Sequence, residues 1–151
     1  MRRSVMLSRF KPDMKIESIY ELTGELLEAI NIKVLISDLD NTIAKYENEV
    51  PDDRVKEWVR DLSEHGVSLV VVSNNGEERV KKYCDPLGVA HFWKSGKPSR
   101  KTIRLAMEKY GGTCETTALV GDKIITDIVG AKRSGVLAIK VSPLGKRRMF
   151  E

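Results

Sequence analysis

Four polar clusters in this chain carry side chains able to do chemistry, and each stands just behind an apolar run. Asp38-Leu39-Asp40-Asn41-Thr42 follows Val34 to Ser37, and Ser73-Asn74-Asn75-Gly76 follows Val67 to Val72. Lys94-Ser95-Gly96-Lys97-Pro98 comes after Val89 to Phe92, and Gly121-Asp122, then Asp127, after Thr117 to Val120. Asp38, Asp40 and Asp122 brought to one place would repel strongly unless a cation sat among them or a proton was shared. Oxygen ligands with no His or Cys beside them select a hard ion. A site with few carboxylates and room for water suits Mg²⁺ better than Ca²⁺. The carboxylates of Asp38 and Asp40 are expected to take different directions, and so two roles. A phosphoryl group fits such a site, because its oxygens can meet Mg²⁺, accept from the Ser73 hydroxyl and from helix-opening amides, and pair with the Lys97 ammonium. Asp38 is then the expected nucleophile, forming an aspartyl-phosphate that divides one hard displacement into two easier ones. Asp40 is the expected acid–base group, protonating the departing alkoxide and later taking a proton from water.

The elements that must position these residues are legible from periodicity. The apolar runs at 34–37, 67–72, 89–92, 117–120 and 136–141 read as strands, three of them continuously apolar, as parallel strands covered on both faces are. Helical patterns lie between them. The first starts near Pro51-Asp52, turns Val55, Trp58, Val59 and Leu62 inward and stops at Gly66. The second runs from Gly76 to Pro86, the third from Pro98 to Gly111, and the fourth from Ile124 to Ser134. Ile16, Ile19, Tyr20, Leu26, Leu27 and Ile30 predict an amphipathic helix over about 17–30, within a basic lead-in region of about 1–31. Alternating strands and helices on short links predict an α/β fold, a doubly wound, Rossmann-like parallel sheet of about five strands. In such a sheet ligands bind beyond the carboxyl ends of the strands, where all four clusters fall.

The chain's 151 residues set a prior of one domain, and 41% hydrophobic residues exclude disorder. Cys84 and Cys114 have neither metal nor redox spacing and are expected to be small buried hydrophobes in a reduced, cytoplasmic protein. No apolar run approaches the ~18 residues of a spanning helix. The excess of 26 basic over 22 acidic residues concentrates at the ends, in Arg2, Arg3, Arg9, Lys11 and Lys15 and in Lys146, Arg147 and Arg148. Such ends would attract an anionic surface, which places the protein peripheral to a membrane, although most basic clusters are merely solvated. His65 is expected exposed at a helix end, His91 packed within a strand, and Trp93 is open between a packing and a ligand-facing role.

In this fixed order on successive strand ends, Asp38-Leu39-Asp40-Asn41-Thr42, Ser73, Lys97-Pro98 and Gly121-Asp122 with Asp127 resemble the four motifs of the haloacid dehalogenase (HAD) superfamily of phosphatases. The run from Ile32 through Ser73-Asn74-Asn75, with Asp85-Pro86-Leu87-Gly88 and Lys97-Pro98, is similar to subfamily IIIA proteins of the YqeG type. The resemblance implies an HAD-like fold with Asp38 as nucleophile and direct Mg²⁺ ligand, and Asp40 as acid–base residue whose backbone carbonyl meets the metal. It implies that Ser73 and Lys97 hold the phosphate, with Asn74 assisting through its amide, and that Thr42 orients the nucleophile loop. Asp122 would be the other direct carboxylate ligand, and Asp127 would reach the metal through water. The likeness extends to mitochondrial phosphatases of phosphatidylglycerophosphate, the most specific substrate it suggests. Ser95-Gly96 before Lys97 departs from the bulkier or basic neighbour expected there.

Spacing also bears on access. Only Ile43 to Val50 separates Thr42 from the next helix, and only a helix and a strand lie between Ser73 and Lys97, so no cap domain fits. An open site suits a bulky phosphorylated substrate, such as a lipid headgroup, a nucleic-acid end or a protein. No stable nucleic-acid partner is expected. Taken singly, each cluster has an ordinary alternative: Ser73-Asn74-Asn75-Gly76 as a helix cap, Lys97 as a solvated loop residue, Asp127 as a surface charge. Two other classes would use the same fold, a phospho-accepting receiver module and a non-catalytic binding protein. A receiver would carry its acceptor aspartate on the third strand, where Val89 to Trp93 has none.

Overall fold

Continuously apolar strands must be covered on both faces, and the fold is arranged to do that. A computed structural model describes residues 8–145. The strands β1 (Met14–Ile16), β2 (Val34–Ser37), β3 (Ser68–Val72), β4 (Ala90–Phe92), β5 (Thr117–Gly121) and β6 (Leu137–Val141) form one sheet in the order β1-β6-β5-β2-β3-β4, every pairing parallel. β2 lies inside, in register with Val70 of β3 and Leu119 of β5 through Ile36.

Alternation along the strands divides the core in two. Leu35, Leu69, Val71 and Val120 face one side, where they pack with Leu27, Trp58, Leu62, Val80 and Tyr83. Those residues come from α1 (Gly24–Ala29), α2 (Asp53–Glu64) and α3 (Glu77–Leu87). Val34, Ile36, Val70, Val72 and Leu119 face the other side, against Ile103, Ala106 and Met107 of α4 (Arg100–Lys109) and Ala131 of α5 (Val129–Ser134). Asp52 opens α2, its carboxylate accepting from the Val55 amide at 3.0 Å, and Gly66, just past the helix end, takes the left-handed conformation (φ +74°) that favours glycine.

The sheet has six strands rather than about five. The extra strand, β1, falls in the basic lead-in, too short to show a period. It is held at the edge by Asp13, whose amide donates to the Ala138 carbonyl and whose carboxylate accepts from the Ala138 amide, both at 2.8 Å. The helix expected over 17–30 is broken. Ser18 and Glu21 cap a single 3₁₀ turn (Ile19–Glu21), and Thr23 caps α1 afresh. Gly24 packs so closely on α2 that a Cβ there would stand 2.4 Å from the His65 ring. The helix expected from Ile124 to Ser134 instead opens as a π-helical turn (Ile124–Ile128) before α5. Cys84 is buried as expected, whereas Cys114 is only half-buried. Arg2, Arg3, Lys146, Arg147 and Arg148 lie outside the described residues; Arg9, Lys11 and Lys15 are exposed. Among the described residues no helix is long and apolar enough to cross a membrane.

Candidate active site

The carboxyl ends of β2, β3 and β5 and the loop after β4 open into one cleft of about 720 Å³, lined by Asp38, Asp40, Ser73, Asn74, Lys97 and Asp122 among others. The four clusters, far apart in sequence, therefore meet. Asp38 follows β2, and its amide extends the ladder to the Val120 carbonyl at 3.0 Å, so its side chain leaves from a fixed point at the middle of the sheet. Asp122 stands one residue past β5, almost fully buried. Asp127 arrives from the π-helical turn, whose wider coil turns its carboxylate inward while Ile125 remains 61% exposed. That approach requires Gly121, because a Cβ there would stand 2.2 Å from Asp127 Cγ.

Lys97 is the cation of the group. Its buried Nζ donates to Asp127 Oδ1 at 2.6 Å and to Asp38 Oδ1 at 3.1 Å. Lys97 bridges Asp38 and Asp127, and oxygens of Asp38, Asp122 and Asp127 all lie within 4.8 Å of one another. The electrostatics record this crowding. Burial and the Asp127 charge push the Asp38 carboxyl up to about 6 despite Lys97, and burial with the Asp38 charge raises that of Asp122. Asp38, Asp122 and Asp127 thus form a carboxylate cluster, and Asp40 lines the same cleft. The donor set is oxygen alone, and so fits a hard divalent cation.

Within that cleft Asp40 is held by different partners. Its Oδ1 accepts from Arg79 Nε (3.1 Å) and Nη2 (2.9 Å), and its Oδ2 from Asn75 Nδ2 (3.0 Å). Ser73 is buried, with its Oγ accepting from the Asn75 amide at 3.0 Å, which leaves the hydroxyl proton to be donated. The Asn74 side chain serves the neighbouring loop: Oδ1 accepts from Ser95 Oγ (2.7 Å) and the Lys97 amide (2.8 Å), and Nδ2 donates to the Lys97 carbonyl (3.0 Å). Ser95, where a bulkier or basic residue was expected, thus joins the Lys97 backbone in holding the Asn74 side chain. Thr42 is fully buried, and its hydroxyl has no hydrogen-bond partner among the described residues.

Arg79, Asn75, Tyr46, Lys123 and Ile125 were not anticipated as site residues. Asn75 stands in the cluster behind the second apolar run but was assigned no role of its own, and Arg79 lies within the following helix, away from any strand end. Trp93 is exposed, does not line the cleft, and faces His91 with ring centroids 6.0 Å apart. His91 is half-buried in β4, and His65, ending α2, has its Nδ1 within 2.9 Å of the Asp61 carbonyl. Among the described residues no cap domain covers the cleft.

Fold and site together define a class. Residues 5–135 match the family model described as haloacid dehalogenase-like hydrolase, and the chain belongs to that family and is a phosphatase of it. It is 36% identical over 141 residues to "Probable phosphatase YqeG" of Bacillus subtilis (strain 168), covering 93% of this chain and 82% of that protein. Similar solved structures include the cobalt-bound deoxy-D-mannose-octulosonate 8-phosphate phosphatase of Haemophilus influenzae, with 21% identity and a TM-score of 0.57 over 76% of this chain and 70% of that one. Another is the 3-deoxy-D-manno-octulosonate 8-phosphate phosphatase of Moraxella catarrhalis with magnesium, phosphate and KDO, with 18% identity and a TM-score of 0.52 over 66% and 63%. Family membership replaces the receiver reading.

Proposed function

We propose that the protein is a Mg²⁺-dependent phosphomonoester hydrolase that works through an aspartyl-phosphate on Asp38, on a bulky substrate such as membrane-borne phosphatidylglycerophosphate. The observation that carries this reading is the convergence of Asp38, Ser73, Lys97 and Asp122 on one cleft. Asp38 and Asp122 would hold the ion directly, with the Asp40 carbonyl beside them and Asp127 acting through water. Bound there, Mg²⁺ would neutralise charge on the phosphoryl oxygens. That the Moraxella phosphatase binds magnesium and phosphate supports the choice of ion.

The chain's own residues account for the rest. Lys97 Nζ and the Ser73 hydroxyl bind the phosphoryl oxygens and aim phosphorus at Asp38. An Asp38 oxygen attacks phosphorus, the bond to the leaving oxygen breaks, and Asp40 delivers its proton to that oxygen. Water then attacks the phosphoaspartate and gives its proton to Asp40, releasing inorganic phosphate and restoring the Asp38 carboxylate. Lys97, shared between Asp38 and Asp127, holds the nucleophile in place throughout.

Two features support a bulky or amphiphilic substrate: no cap covers the cleft among the described residues, and its lining includes the exposed side chains of Tyr46 (67%) and Ile125 (61%). Such side chains would lie against an alkyl chain or a membrane surface. The test is phosphate release, with Mg²⁺, from lipid, nucleotide, sugar and protein phosphates. Liposomal phosphatidylglycerophosphate is expected to be hydrolysed with the highest kcat/KM, and Asp38→Asn to abolish turnover of every substrate. A preference for phosphorylated oligonucleotides or proteins would overturn the lipid reading, and turnover retained by Asp38→Asn would overturn the chemistry.

A further inference from the structure

Arg79 is a cation the mechanism above does not use, and its surroundings are unusual for a helix-surface arginine. It lies in the first turn of α3, yet its side chain is only 15% exposed. Besides two hydrogen bonds to Asp40 Oδ1, it donates from Nη1 to the Asn48 carbonyl at 2.5 Å and from Nη2 to the Lys45 carbonyl at 3.1 Å. Its guanidinium also faces the Tyr83 ring, 5.5 Å from the centroid. A planar, preorganised fork held at so many points fixes whatever it grips.

What it grips is the Asp40 carboxylate. A carboxylate offers about four lone-pair directions, two on each oxygen. Arg79 fills both on Oδ1 and Asn75 fills one on Oδ2, which leaves a single direction, on Oδ2, for the substrate. We propose that Arg79 is a positioning residue for Asp40: by occupying Oδ1 it fixes the carboxyl rotamer and assigns proton transfer to Oδ2. In the first step the proton on Oδ2 passes to the leaving oxygen as its bond to phosphorus breaks. In the second, Oδ2 recovers a proton from the attacking water. Arg79 touches neither substrate nor metal in this scheme. The proposal rests on Asp40 being the acid–base group.

Leaving-group dependence separates this role from mere stapling of the 45–48 loop. An alkyl phosphate needs a proton to expel its alkoxide, whereas 2,4-dinitrophenyl phosphate expels a stable phenolate without one. The kcat/KM for each ester reports steps only through leaving-group departure, and their ratio within one sample does not depend on the fraction folded. Arg79→Gln is expected to lower kcat/KM for the alkyl ester about 10- to 100-fold, part of the ~10²–10⁴ that general acid catalysis contributes. The dinitrophenyl ester should lose less than about 3-fold. In an Asp40→Asn background, Arg79→Gln should not change the ester ratio further. Equal losses on both esters, or a ratio that shifts again in the double variant, would overturn the proposal while leaving the acid–base reading intact. If Asp40→Asn itself leaves the ratio unchanged, the acid–base reading fails and the proposal fails with it.

Discussion

Asp38 is the residue on which the chemistry and the electrostatics meet, and its titration runs opposite to that of an ordinary salt-bridged aspartate. Burial and Asp127 lift its carboxyl from 3.8 to about 6 in the folded protein. Between those values the folded state holds more protons than the unfolded one, so without metal this group's contribution to stability falls as pH rises from about 4 to about 6. Bound metal requires the ionised form and reverses the trend. The increase in Tm on adding Mg²⁺ is therefore expected to be large at pH 7.5 and to shrink as pH drops through about 6. A Mg²⁺-induced increase independent of pH would contradict the assignment of Asp38 as a ligand. Asp38, Ser73, Lys97 and Asp122 were legible in the sequence because each follows a strand end, where the fold permits few tasks. Arg79 was not, because a charged residue in the first turn of a helix has the same local signature whether it faces water or a carboxylate.

At the scale of elements, the turn between β5 and α5 matters most. A regular helix from Ile124 would satisfy the apolar pattern equally well, and periodicity therefore could not reveal the π-helical turn that buries Asp127 beneath Lys97. Gly121 is its counterpart in the strand. The substitution Gly121→Ala drives a Cβ into the Asp127 carboxyl, an overpacking of a kind that costs ~1–3 kcal/mol, and displaces the group holding Lys97. It should lower the urea midpoint of unfolding and reduce phosphate release far more than the stability loss alone explains; a variant as active and as stable as the parent would contradict this view of the turn. β1 and the broken helix before β2 escaped prediction for a related reason. Three-residue strands and single turns are fixed by partners distant in sequence, Ala138 for Asp13 and Asp61 for Gly24, and leave no period of their own.

For the whole molecule, the doubly wound plan accounts for both the chemistry and the access. Five of the six strands were visible as apolar runs because a parallel sheet hides both faces of its strands, and the right-handed crossovers then allow few orders. That order puts β5 and β3 on either side of β2, which is why Asp122 and Ser73 flank Asp38. Among the described residues the same plan leaves the strand ends uncapped, with the exposed side chains of Tyr46 and Ile125 lining the cleft. The central claim is that phosphorus passes through Asp38 at this meeting point. It is tested most directly by quenching the enzyme during turnover with Mg²⁺ and a phosphomonoester, reducing with borohydride and mapping peptides by mass spectrometry. Reductive trapping of an aspartyl-phosphate yields homoserine. The account predicts homoserine at position 38 and none when substrate is omitted; homoserine at another aspartate, or none at all while phosphate is being released, would contradict it.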